Sequence, residues 1–133
     1  MVAKRYQLVI QFPEDFFPSH KELVAFEALL TATMPRTCEV DGHDIGSGTV
    51  NFFVHTTAPE AAYRTFRSRI ATRAIEKRLR IAYRLESGSK FTNLWPRRDP
   101  RSFSYSYSAA DNPFARGAKR GIPKRSPRGT RAL

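Results

Sequence analysis

Cysteine occurs once in this 133-residue chain, at Cys38, so no intrachain disulfide can form. Cys38 has apolar Val40 two residues on, and a lone thiol in that setting reads as a small core residue. Long apolar runs are missing as well. No stretch approaches the length that spans a bilayer, and no membrane partner is expected. The apolar run in MVAKRYQLVIQFPEDFF is too short for a signal peptide, so a reducing, cytoplasmic setting is the expectation. Acidic residues are scarce, 12 against 23 Lys+Arg, which leaves a net charge of +11.

That charge is unevenly placed. Met1 to Pro96 holds 13 basic and 10 acidic residues, a net +3. Arg97 to Leu133 holds 10 and 2, a net +8. Two units follow: a body over 1–96 and a basic tail over 97–133.

Period-two alternation marks the strands of the body. Tyr6, Leu8, Ile10 and Phe12 form the first. Pro13 and Pro18 bracket a loop. Ser19 and Glu22 then read as a capping box, and Leu23, Phe26, Leu29, Leu30 and Met34 as the apolar stripe of a helix ended by Pro35. Cys38 and Val40 belong to a second strand, and Val50, Phe52 and Val54 to a third. Pro59 opens a helix with the stripe Tyr63, Phe66, Ile70 and Ala74. Leu79 to Leu85 is a fourth strand, and Lys90 to Trp95 can return as a short fifth. The class is α+β: a ferredoxin-like βαββαβ antiparallel sheet, strand order 4-1-3-2, with two helices on one face.

The segment VDGHDIGSGTVNFFV gathers Asp41, His43, Asp44, Ser47, Asn51 and His55 around one hairpin, and these are the candidate ligand-binding residues. A three-residue loop at Gly46-Ser47-Gly48 would keep Cys38, Val40, Val50, Phe52 and Val54 on the core face. His43 would then lie opposite Asn51, Asp41 opposite Phe53, and Glu39 opposite His55. The helix-free face would collect Gln7, Gln11, Glu39, Asp41, His43, Asn51, Phe53, His55, Arg80 and Arg84.

VDGHDIGSG followed by NFFV, a Thr, a Pro-started helix and a closing LWP resembles a group of small bacterial proteins of unassigned function. The resemblance covers about Arg5 to Pro96. It implies a bacterial protein whose body is one complete unit, and it carries no activity.

Several chemistries compete for the hairpin. Glu39, Asp41, His43 and His55 have the donor types of a zinc, iron or manganese site, but their spacing fits no standard motif. A Glu39–His55 ion pair with turn-forming aspartates is the preferred reading, so no residue is assigned to a metal and no cofactor is expected. Gly46-Ser47-Gly48 joins two strands and lacks the helix dipole of a phosphate loop. Ser47 lacks the frame of a nucleophile elbow. The sequence names no catalytic residue. As a platform for RNA the sheet offers Phe53, but it also carries Glu39 and Asp41.

In the tail, SFSYSYS alternates aromatic residues with serine. Gly, Pro, Ser and basic residues follow, a composition that reads as disordered. Arg116, Lys119, Arg120, Lys124, Arg125, Arg128 and Arg131 are the candidate nucleic-acid contacts.

The first functional reading is a non-catalytic binding or regulatory module. It docks a protein or small ligand at the sheet face, and the tail meets anionic partners. One alternative is a small metal-dependent or acid/base enzyme using Asp41, His43 and His55. The other is a nucleic-acid accessory protein acting through the tail.

Overall fold

The computed structural model describes residues 3–98, 103 and 104. Strand β1 (Tyr6–Pro13) runs into a single 3-10 turn, Glu14–Phe16, within the expected loop. Helix α1 (His20–Thr33) follows, then β2 (Cys38–Gly46), β3 (Thr49–Thr56), α2 (Pro59–Arg69), α3 (Arg73–Arg78), β4 (Arg80–Leu85) and β5 (Thr92–Trp95). The five strands form one antiparallel sheet in the order β2-β3-β1-β4-β5. The fold is α+β. Among the described residues no helix is long and apolar enough to cross a membrane.

Helix α1 begins where its sequence signals it. The Ser19 hydroxyl accepts from the Glu22 backbone N–H and donates to the Glu22 carboxylate. Leu23, Phe26, Leu30 and Met34 are buried as the stripe requires. Leu29 is not part of it. It lies about 100° round the helix from Leu30, and its side chain is exposed.

The second predicted helix is two helices. Its stripe breaks after Ile70, because Thr72 starts a new helix by accepting from the Ile75 N–H. Ala74, expected in the core, is exposed, and Ile75 packs inward instead. Arg67 joins the pieces. Its guanidinium donates twice to Glu76 and lies 4.8 Å from the centre of the Trp95 ring. Trp95 donates in turn to the Glu76 carbonyl, which ties α2, α3 and β5 together.

One face of the sheet meets all three helices. Leu8, Ile10 and Phe12 of β1, Val50, Phe52 and Val54 of β3, and Ile81 of β4 form a single cluster with the apolar residues of α1 and α2. Rings dominate its centre: Phe26 lies 5.1 Å from Phe52 and 5.4 Å from Phe12. Cys38 is half-buried at the margin, packed against this cluster.

The hairpin register differs from expectation. Gly46 pairs with Thr49, so the turn holds two residues, Ser47 and Gly48, both with positive φ (54° and 83°). That is the geometry of the primed turns favoured in tight hairpins. A two-residue turn shifts the pairing by one and places His43 opposite Phe52, not Asn51. A bulge between Val40 and Gly42 then restores the phase, so Val40 meets Val54 and Glu39 meets His55. Gly42 makes the bulge feasible by adopting φ 115°, a conformation that side chains resist.

A candidate binding face opposite the helices

The register divides the predicted hairpin residues between the two faces. His43 leaves the expected cluster. It sits on the helix side, where its Nδ1 donates to Glu27 of α1 at 2.8 Å and its ring lies 6.0 Å from Phe52. The acid/base set of Asp41, His43 and His55 is therefore not assembled on one face.

His55 stays on the helix-free face at one end of the strands. Its Nε2 meets Asp41 at 3.0 Å, and its Nδ1 meets Glu86. Arg5 bridges Glu86 and Glu39, at 3.4 and 3.3 Å. Glu39 is the cross-strand neighbour of His55, as expected, but its ion pair is with Arg5. With a carboxylate at each ring nitrogen, the imidazolium form is favoured, since only that form donates from both. The hydrogen bond from Asp41 raises the His55 pKa above its ordinary 6.5 against the opposing effect of burial, and the Asp41 charge and Glu86 add to the rise. Burial alone would raise Glu86, but its bonds to His55 and Arg5 hold it below its ordinary value.

The other end of the face is quieter electrostatically and more buried. Asn51 is 1% exposed and accepts from Gln11 Nε2 at 3.0 Å. Its own amide donates to Thr49. Asp44, opposite Asn51, is half-buried. Ser47 is exposed at the turn, and the Gly48 carbonyl accepts from the Glu14 N–H. The Gly-Ser-Gly stretch serves as a hairpin turn.

Between these ends lies a second apolar cluster that sequence reasoning missed. Val9, Phe53 and Ala82 form a patch on the helix-free face, and Phe103 covers it, itself 7% exposed. The Phe103 ring lies 4.9 Å from the Phe91 ring, and the Arg80 guanidinium is 5.1 Å from its centre. The next residue is held too, as Gln11 Nε2 also donates to the Ser104 carbonyl at 3.0 Å. Body contacts thus reach past residue 96. The signal in the sequence was the aromatic content of SFSYSYS just past the body. Arg84, expected on this face, also secures the β4–β5 connection by donating to the carbonyls of Leu85, Glu86 and Gly88.

Gln11 and Arg80 also border a cleft of about 420 Å³ beside the hairpin turn. Lys77 and Arg78 line it with them. Arg78 pairs with Asp15 at 2.9 Å, and Glu76, the acid of this cleft, is engaged by Arg67.

Among the described residues no group of three or more His, Cys, Asp or Glu side chains is placed to hold a metal ion. The tail candidates Arg116, Lys119, Arg120, Lys124, Arg125, Arg128 and Arg131 lie outside the described residues. No protein family, no curated protein and no solved structure matches this chain.

Proposed function

We propose that this chain is a non-catalytic binding module. Its body is a ferredoxin-like variant with a fifth strand added beside β4, and its docking surface is the helix-free face of the sheet. The basic tail adds attraction for anionic partners. The observation that supports this most directly is how the face holds Phe103 and Ser104. A ring is seated on Val9, Phe53 and Ala82, and the adjoining main-chain carbonyl is taken by Gln11. These are the elements by which a surface grips an extended partner: an apolar anchor site and a fixed polar group beside it. The separation of His43 from Asp41 and His55 weighs against the enzyme alternative.

The test is a titration of the full-length Phe103→Ala variant with a synthetic SFSYSYS peptide, followed by amide chemical shifts. The expected result is saturable shifts at Val9, Gln11, Phe53 and Ala82. Saturable shifts confined to the helix side, or none at millimolar peptide, would rule out the face as a docking surface.

A further inference from the structure

Resting on that reading of the face, we infer that the place held by Phe103 is a nucleobase site. The adjoining basic cleft takes the neighbouring phosphate, so the face binds single-stranded nucleic acid in competition with the chain's own Phe103.

The chemistry of the place argues for a base. Phe103 is a planar ring that meets the Phe91 ring at 4.9 Å, tilted by 53°, and the Arg80 guanidinium at 5.1 Å, over an apolar floor of Val9, Phe53 and Ala82. Aromatic and guanidinium planes are the stacking partners that single-stranded bases use. The polar neighbour fits as well. Gln11 Nε2 is almost wholly buried, and it keeps a partner outside the sheet only while the Ser104 carbonyl is present. An aliphatic occupant would leave that donor short of an acceptor, at a cost. A pyrimidine brings carbonyl acceptors on its own edge.

Charge argues for a nucleotide and not a neutral ring. Arg80 and Gln11 belong to both the ring site and the cleft, so the two are contiguous. Lys77 brings further positive charge to the cleft, and Arg78 lines it while paired with Asp15. The acid at this end of the face is Asp44, half-buried across from Asn51, and the other acids are elsewhere. Asp41, Glu39 and Glu86 gather around His55, which pairs with Gln7 near the start of β1, whereas Gln11 lies four residues further along, roughly 13 Å away at the rise of a strand. Arg5 and His55 also neutralise much of that acidic charge. Finally, the occupant belongs to the segment that carries the net +8. A strand attracted by the tail is delivered to the residue that blocks the site.

The experiment measures binding of two fluorescein-labelled strands of equal length and charge, an oligothymidine and its abasic counterpart, over a salt series. Full-length wild type, Phe103→Ala, Phe103→Leu and the Lys77→Gln/Arg78→Gln pair are compared. Thermal unfolding confirms that each is folded. Removing the competing ring should tighten oligothymidine binding on the order of tenfold and leave the abasic strand unchanged. Phe103→Leu keeps the apolar contact and should give a smaller gain in the same direction. The Lys77/Arg78 pair should lower the salt slope by about 0.7 if it meets one phosphate. In wild type, a 4-thiothymidine strand should photo-crosslink to the β1, β3 and Phe91 surface.

Equal affinity for the two strands in wild type and both Phe103 variants would overturn the inference, as would crosslinks found only beyond Ser104. If Phe103→Ala binds the SFSYSYS peptide but does not distinguish the strands, the base site is refuted and the docking face stands. If it binds neither, both fall.

Discussion

His43 and His55 stand on opposite faces of the sheet, one bonded to Glu27 of α1 and the other to Asp41 and Glu86. In a hairpin with a three-residue loop and no bulge they would share a face. The two-residue turn at Ser47-Gly48 separates them, and the bulge at Asp41-Gly42 returns only Val40 and the residues before it to the expected phase.

Gly42 bears the conformational cost of the bulge, at φ 115°. Gly42→Ala should therefore destabilise the protein by about 1–2 kcal/mol, the usual penalty for a side chain in a left-handed conformation. Urea denaturation measures it. A loss of less than a few tenths would mean that the bulge relaxes freely. Because Val40 and Cys38 face the core only through this bulge, the variant should also increase the accessibility of the Cys38 thiol to a labelling reagent.

The turn offers a cleaner version of the same test. Nothing lies within 4 Å of a Cβ built on Gly48, whose φ is 83°. Gly48→Ala therefore probes backbone conformation without a clash, and a loss of about 1–2 kcal/mol is expected. Ser47 occupies φ 54° despite its side chain. Asparagine tolerates that region better, so Ser47→Asn should gain up to about 1 kcal/mol. If Ser47→Asn destabilises instead, the primed-turn account of this hairpin is wrong.

The His55 cluster makes stability depend on pH. The folded pKa of His55 is raised by Asp41 first and Glu86 after, so its contribution is fully present below the ordinary 6.5 and is lost as pH rises through the raised value. Glu86 is lowered from 4.5 against the opposing effect of desolvation, so its contribution is present above 4.5 and is lost as pH falls through the lowered value. Both hold together between about 4.5 and 6.5. Thermal unfolding of wild type and His55→Gln should differ most in that window, and the difference should shrink as pH rises through the raised His55 value. A difference that does not change with pH would assign His55 a packing role only.

Much of this was legible in the sequence, for physical reasons that also mark the limits. Strand alternation reports burial directly, so Leu8, Ile10, Phe12, Phe52 and Val54 were placed on the core face without knowledge of their partners. The Glu39–His55 pairing was legible as well. Gly46-Ser47-Gly48 is different, because it satisfies two loop lengths, and the choice between them inverts His43. Asp41-Gly42 carries a turn signal that also serves a bulge, and only the neighbouring strand decides which. Phe103 was the least accessible. Its partners Val9, Phe53 and Ala82 are far away in sequence, and alternation with serine does not say which surface a ring will cover.

The ends of the chain separate stability from charge. A tail with no contact to the body could be removed after Pro96 without consequence, but Phe103 is buried on Val9, Phe53 and Ala82. Truncation after Pro96 should therefore cost about 2 kcal/mol, the scale of burying one phenylalanine side chain. Truncation after Ser108 keeps Phe103 and Ser104 and should leave stability nearly unchanged. It removes the seven basic residues from Arg116 to Arg131, so it should abolish the sequence-tolerant, salt-dependent part of nucleic-acid binding. If the full tail engages four phosphates of a single strand, the slope of log affinity against log salt is about −3, and the Ser108 truncation should lose most of it. Urea denaturation and a salt titration on the same three proteins decide the matter. Equal stability of the full chain and the Pro96 truncation would show that the Phe103 contact contributes nothing. An unchanged salt slope after removal of Arg116 to Arg131 would move the electrostatic interaction from the tail to the body, where Lys77, Arg78 and Arg80 are the residues to examine next.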